Sequence, residues 1–237
     1  MTASVFPARR DLRAAGIALA AFAVLTNVPY SALIALFDYD DVLRRPSGEV
    51  LTLFRAGGEA LVLAWWGFAM AAVGFAIAAG LAGEALARRG VMPRWATMLG
   101  VASGLIQAVA LLRWVFAVPH LAAAYAGGDA AAQAGAIATY ETLNLYLGAG
   151  LGEHLGQMLL VIWTGAIALA FTHLGGTLKI IGWIGFATLP LWLVAQTEML
   201  SLSLPSLPVI EAAPIAFMGW MAWLIAAGAA MVLRRAD

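Results

Sequence analysis

Six apolar stretches dominate this sequence and limit the folds that it can adopt. They are residues 14–37, 58–81, 95–118, 143–172, 180–202 and 214–233. A bilayer core about 30 Å thick is crossed by roughly 20 apolar residues of helix, so each stretch is long enough to span it. The sequence therefore predicts an all-α, multi-pass membrane protein whose six transmembrane helices form a single domain over residues 1–237.

The overall composition supports the same class. The chain is 63% hydrophobic and 11% charged, whereas soluble domains are about 45–50% apolar and about 25% charged. Its formal net charge is zero, so the basic surface that nucleic-acid binding requires is not expected. The absence of cysteine excludes disulfides, thiolate metal sites and a cysteine nucleophile. The partner that the composition predicts is the lipid bilayer.

The basic residues predict the orientation of the helices. The first apolar stretch is too long for a secretory signal and is interpreted as a retained span. With the N-terminus inside, nine basic residues lie on the cytoplasmic side, namely Arg9, Arg10, Arg13, Arg88, Arg89, Arg94, Lys179, Arg234 and Arg235. The outer loops hold three, Arg44, Arg45 and Arg55. This asymmetry predicts that both termini are cytoplasmic. The preference for arginine over lysine in an Ala/Gly-rich chain indicates a bacterial gene of high GC content, so the predicted location is the bacterial inner membrane.

The loop after the first span is more than a simple linker. It reads "FDYDDVLRRPSGEVLTLFRAGG" over residues 37–58. Asp40 and Asp41 are suited to capping a short helix. The apolar group Val50, Leu51, Leu53 and Phe54 predicts a segment that lies along the lipid headgroups.

Three stretches together carry a resemblance to a known family. They are the loop just quoted, "MPRWATMLGVASGLIQAVALLRWVFAVPHLAAAY" and "NLYLGAGLGEHLGQMLLVIW". They resemble a family of bacterial six-span membrane proteins catalogued only as a domain of unknown function, over roughly residues 10–235. The family has proline where this chain has Asp40, a difference that affects the shape of the loop. The resemblance implies one six-helix domain and brings no activity or site residue.

Charged residues within the spans fall at one predicted depth. Arg113 is 19 residues from Arg94, which places it about 28 Å from the inner boundary at the rise of an α-helix. Glu198 is 19 residues from Lys179, Glu153 is 20 from His173, and Glu59 is 25 from Glu84. The sequence therefore predicts a polar layer near the outer boundary.

The fourth span has three distinct faces. Gly148, Gly152 and Gly156 recur every four residues and predict a face that packs closely against another helix. Glu153 lies on a second, polar face with Tyr146, Gln157 and Thr164, and His154 lies on a third. Such a helix is expected to be central in the bundle. Because the run 136–172 is longer than a bilayer is thick, the helix either projects from the membrane or breaks near the "GAGLG" glycines.

The polar layer leads to three hypotheses for function. The first is a pocket open to the outer face that binds a small solute, an ion or a proton. Its predicted lining is Glu59, Arg113, Glu153, His154 and Glu198, with His120 at its mouth. Glu153 is then the proton or cation group, Arg113 its partner or an anion anchor, and His154 a titratable neighbour. The second is an enzyme that acts on a lipid headgroup, and the third is an accessory subunit whose charges are structural only.

These residues identify no cofactor. A haem held by two histidines is disfavoured because His120 and His154 differ by about 10 Å in predicted height. A metal site built from Glu59, Glu153, Glu198 and His154 lacks compact spacings such as H-E-x-x-H. Neither a serine-hydrolase motif nor a nucleotide-binding glycine loop occurs, so enzyme activity and oligomeric state stay open.

Overall fold

The computed structural model describes residues 6–39 and 41–234, with side chains from residue 10 onward. Asp40, which the sequence predicts as a helix cap, lies outside the described residues. So do Arg235 and the side chain of Arg9, both of which count in the charge asymmetry. The orientation of the termini therefore stays a prediction.

The described chain is built from helices and contains no strand. Its α-helices are α1 (Phe6–Phe37), α2 (Ser47–Ala87), α3 (Arg94–Leu111), α4 (Arg113–Phe116), α5 (Val118–Gly127), α6 (Ala130–Leu143), α7 (Gln157–Leu174), α8 (Gly176–Ser201) and α9 (Ala213–Leu233). Six stretches are long and apolar enough to cross a membrane: Arg10–Phe37, Ser47–Ala87, Arg94–Gly127, Ala130–Leu174, Gly176–Ser201 and Ala213–Leu233. The predicted six-span, all-α fold is confirmed.

These helices contribute to two compact units. Unit 1 contains Met1–Val24, Val73–Leu105 and His154–Asp237, and unit 2 contains Leu25–Ala72 and Ile106–Glu153. Each unit has its own hydrophobic core. That the whole chain forms a single domain stays a prediction.

Close helix packing in unit 1 depends on small residues. A Cβ atom on Gly16 of α1 would lie 2.5 Å from the carbonyl oxygen of Gly228 on α9, and one on Gly182 of α8 would lie 2.6 Å from the carbonyl oxygen of Ala168 on α7. Between apolar helices in lipid, such close backbone approach supplies the van der Waals contact that holds them together. The large indole of Trp220 fills the remaining space and donates a 3.0 Å hydrogen bond to Thr164.

Charged residues of unit 1 that lie outside the spans are held at helix ends. Arg88 donates hydrogen bonds of 3.0 Å to Glu84 and 2.8 Å to Asp11. The bond to Glu84, followed by the charge of Asp11, raises the pKa of Arg88 above its ordinary value. Burial lowers the pKa of Arg89, and the positive charge of Arg234 lowers it further. Arg88, one of the basic residues that the sequence assigns to the cytoplasmic side, therefore has acidic partners close by.

In unit 2, the apolar segment after the first span packs against protein. Val50, Leu51 and Phe54 are buried in the core of the unit, and the ring of Phe54 stacks on that of Trp114 at 5.7 Å. The prediction that this segment lies along the headgroups was wrong. Gly58 explains the difference, because its positive φ of 57° interrupts α2 and lets the preceding turns change direction.

The fourth span is continuous and changes its hydrogen bonding midway. Between α6 and α7, residues Asn144–Gly156 form a π-helix of 13 residues, much longer than the single-turn bulges in which i→i+5 bonding usually occurs. The predicted break near the glycines is therefore absent, and the alternative of one long helix is the one observed. Half of its most apolar stretch is buried, a larger share than in the other five spans. That this helix is central in the bundle stays a prediction.

Candidate functional site

Arg113 occupies an interruption of the third span in unit 2. Helix α3 ends at Leu111, and the next turn begins at Arg113 itself. The last carbonyl groups of a helix lack partners within it and carry partial negative charge. Nη1 of Arg113 donates a 2.7 Å hydrogen bond to one of them, the carbonyl oxygen of Ala110. The break in the helix thus provides an acceptor for a buried guanidinium.

The glycine face of the fourth span leaves room for this guanidinium. Nη2 of Arg113 donates a 3.0 Å hydrogen bond to Oδ1 of Asn144. A Cβ atom on Gly148 would lie 2.5 Å from the same nitrogen, and one on Gly152 would lie 2.8 Å from the Cβ of Ala110. The prediction that these glycines face a neighbouring helix is confirmed, and within unit 2 that neighbour is the third span.

The guanidinium of Arg113 lies beside a group of aromatic side chains that pack around Trp114. The rings of Trp65 and Trp114 stack at 4.5 Å with an interplanar angle of 7°. Tyr140 packs on Trp114 at 5.9 Å, and Cζ of Arg113 lies 5.2 Å from the centre of the Trp114 ring. An arginine within about 6 Å of an indole is attracted to its electron-rich face. The side chains of Trp65, Tyr140 and Arg113 therefore all lie within about 6 Å of the Trp114 ring.

Four polar atoms of this group have no hydrogen-bond partner among the described residues. They are Nε of Arg113, Nε1 of Trp65, Nε1 of Trp114 and the hydroxyl oxygen of Tyr140, which we call the donor cluster. Their residues are only 6%, 1%, 0% and 3% exposed. Buried polar groups are normally paired, and leaving one unpaired costs about 1–3 kcal/mol. Each of the four carries a proton to donate, so the cluster is suited to a hydrogen-bond acceptor.

Glu153 is the predicted site residue that the structure brings close to Arg113. It is half-buried in unit 2, and its carboxylate interacts electrostatically with the guanidinium. Glu59 and His120 also belong to unit 2, but their side chains are exposed, and neither is part of the donor cluster.

His154 and Glu198 belong to unit 1. Nδ1 of His154 forms a 2.7 Å hydrogen bond with Oε1 of Gln196. Nε2 of Gln196 in turn donates a 2.7 Å bond to Oε1 of Gln157. Glu198 is half-buried on α8, two residues beyond Gln196.

Sequence reasoning did not single out several of the residues that make these contacts. Gln196 has a detectable signal, because it is an amide inside an apolar span. Trp65 and Trp114 were not predicted as site residues, and only the chain position of Trp114 beside Arg113 connects it with the site. Tyr140 gave no signal, since its role depends on contacts with distant residues.

The described residues contain no cluster that resembles a metal site. Nowhere among them do three His, Asp or Glu side chains gather in a way that holds a metal ion. The metal site considered for Glu59, Glu153, Glu198 and His154 therefore gains no support from the geometry.

Of the comparisons with known proteins, the one with protein families found a match. No curated protein matches the chain, and no solved structure matches it. The family model described as "Domain of unknown function (DUF4386)" matches residues 14–228. Because the match covers nearly the whole chain and reaches into all six spans, this six-span membrane protein belongs to the DUF4386 family.

Proposed function

We propose that this membrane protein binds a small solute with an anionic group at the donor cluster of unit 2. The observation that carries the proposal is the set of four buried, unpartnered donors around Trp114, one of which belongs to a cation. A carboxylate or phosphate offers several acceptor lone pairs and a negative charge, so a single group satisfies several donors at once. Binding then recovers part of the free energy lost by burying those donors unpaired.

Glu153 is expected to tune this binding. Its carboxylate attracts the guanidinium that the ligand would use, so the two negative charges compete for one positive charge. Neutralising Glu153 should therefore strengthen anion binding. This assignment gives Arg113 the role of anion anchor and Glu153 the role of a charge that opposes the ligand. Access from the outer face of the membrane is part of the proposal and depends on the predicted orientation.

The test measures thermal unfolding and tryptophan fluorescence of the purified protein in detergent. The probes are sodium phosphate, acetate and benzoate, each compared with sodium chloride at the same ionic strength. A ligand at 100 times its Kd stabilises the folded state by about 2.7 kcal/mol. We expect at least one probe to raise the unfolding temperature in a saturable manner. No saturable rise with any of the three would contradict the proposal.

Two matched variants test whether the stabilisation by anions arises at the donor cluster. Tyr140→Phe removes only an unpartnered hydroxyl, so it should leave the free protein equally or more stable while it reduces the stabilisation by the anion. Arg55→Gln removes the charge of an exposed arginine of the same unit and should leave the anion response unchanged. If Arg55→Gln and Tyr140→Phe reduce the response equally, the ions act on overall charge and the site is wrong.

A purely structural role for Arg113 has one observation in its favour. The side chain already bonds to the carbonyl oxygen of Ala110 and to Asn144, and these contacts alone connect the third and fourth spans. Under that alternative, Arg113→Gln destabilises the protein, and no anion stabilises the wild type.

A further inference from the structure

The hydrogen-bonded chain of unit 1 has a defined direction. It runs from His154, near the end of the π-helix, to Gln196 on α8 and then to Gln157 at the start of α7. Gln196 is 4% exposed, and an amide buried in an apolar span requires hydrogen bonds at both of its ends. Because its nitrogen donates to Gln157, its carbonyl oxygen is the atom that faces the imidazole.

The orientation of the Gln196 amide determines the tautomer of His154. A carbonyl oxygen only accepts hydrogen bonds, so Nδ1 of the imidazole must carry the hydrogen in its 2.7 Å contact with Gln196. A neutral imidazole has one N–H group, and its other nitrogen is then an acceptor. Nε2 of His154 therefore carries a lone pair.

Proton uptake at this lone pair requires no rearrangement of the chain. When a hydronium ion transfers its proton to Nε2, water leaves and the ring gains one positive charge. The Nδ1–H bond to Gln196 stays in place and becomes a charge-assisted hydrogen bond, which is stronger than the neutral one. In the opposite tautomer, Nδ1 would have to accept a hydrogen bond, and proton uptake would require both glutamine amides to reverse.

We infer that His154 is a proton-accepting site within the membrane span, at which Nε2 takes up the proton and Gln196 holds the imidazolium. The ionisable residues nearest in sequence to His154 and Gln196 are carboxylic acids. They are Glu153, beside His154, and Glu198, two residues beyond Gln196. Helix α7 adds only His173 near its far end, and the part of α3 in unit 1 adds only Arg94 at its start.

Nuclear magnetic resonance tests the inference directly because the chain has only three histidines. His120 and His173 are exposed, so the variant H120Q/H173Q should keep the fold and leave His154 as the sole source of histidine signals. In ¹⁵N-histidine-labelled protein in nanodiscs, we expect Nδ1 to carry the hydrogen in the neutral form. On acidification within about pH 5–8, the range in which histidine ordinarily titrates, the signal of Nε2 should change to the protonated type.

Variants of Gln196, the hydrogen-bond partner of His154, distinguish the proposed role from simple packing. Q196L should abolish the preference for the Nδ1–H tautomer, whereas Q196E retains an acceptor and should preserve it. Q133L removes an exposed glutamine of unit 2 and should change nothing. A neutral Nε2–H tautomer in the parent, an unchanged tautomer in Q196L, or an imidazole that stays neutral throughout this range would overturn the inference. These variants leave Arg113, Trp114 and Tyr140 intact, so either result is independent of the anion site.

Discussion

The guanidinium of Arg113 occupies the space that a side chain at Gly148 would fill. A Cβ atom there would lie 2.5 Å from Nη2 of Arg113 and 3.1 Å from Oδ1 of Asn144. Residue 148 is therefore restricted to glycine for as long as Arg113 and Asn144 remain bonded to each other.

Gly148→Ala should displace Arg113 and destabilise the protein. Overpacking of a tight contact costs about 1–3 kcal/mol, and the stabilisation by anions should fall with it. The matched control is Gly150→Ala in the same π-helix, because a Cβ atom there would meet only the carbonyl oxygen of Leu145 at 3.5 Å. Thermal unfolding with and without phosphate measures both effects. If Gly148→Ala and Gly150→Ala have the same unfolding temperature and the same response to phosphate, the close contact at Gly148 contributes neither to stability nor to anion binding.

The hydrogen bond between Arg113 and Asn144 should appear as an energetic coupling. Asn144→Ala leaves Nη2 of Arg113 without its acceptor, at an expected cost of about 1–3 kcal/mol. In Arg113→Met, the same asparagine substitution should cost less, because the charge that needed the acceptor is gone. A double-mutant cycle from denaturant unfolding should give a coupling of about 0.5–3 kcal/mol. Additive effects would mean that the two side chains do not interact.

Close packing in unit 1 predicts a second pair of glycine effects. Gly16→Ala places a Cβ atom 2.5 Å from the carbonyl oxygen of Gly228 and 2.9 Å from the Cβ of Met231, so it should destabilise the protein by about 1–3 kcal/mol. Gly74→Ala meets nothing within 4 Å and should be tolerated. Comparison of the two unfolding temperatures is the measurement, and a tolerated Gly16→Ala would argue against the described approach of α1 and α9.

Two buried threonines should respond in opposite directions to the same substitution. Thr164 accepts a 3.0 Å hydrogen bond from Trp220, so Thr164→Val leaves a buried indole N–H unpaired and should cost about 1–3 kcal/mol. The hydroxyl of Thr26 has no partner among the described residues. Thr26→Val removes that unpaired group in a side chain of similar shape and should leave stability unchanged or increased. A loss of stability in Thr26→Val as large as that in Thr164→Val would contradict the hydrogen-bond assignments.

The predicted orientation is open to a direct test because the chain contains no cysteine. Thr177→Cys lies beside Lys179, on the side predicted to be cytoplasmic, and Ser206→Cys lies in the loop predicted to be outside. Both positions are exposed. A membrane-impermeant maleimide applied to intact cells, with the outer membrane opened, should label residue 206 and reach residue 177 only after the inner membrane is permeabilised. Labelling of residue 177, and not of residue 206, while the inner membrane is intact would mean that the topology is the opposite of the predicted one.

The residues that carry the candidate site differ in how far sequence could identify them. Arg113 and Glu153 stand out because a charge in an apolar span is costly wherever it lies, and that cost is readable from the span alone. Gly148 was assigned to one face of the fourth span, and the structure places it, together with Asn144, against Arg113. The π-helix that carries Gly148 could not be anticipated, since no residue type by itself specifies i→i+5 bonding.

The amino-acid sequence by itself determined the membrane setting, the number of spans and the family, because the length of an apolar helix and its affinity for lipid are local properties. Only the tertiary structure decided which polar groups have partners. Trp65 and Tyr140 reach Trp114 from distant parts of the chain, and Gln196 on α8 forms the hydrogen bond with His154. Those contacts depend on which helices pack side by side, and in lipid that choice is made by shape and hydrogen bonding between helices rather than by hydrophobicity.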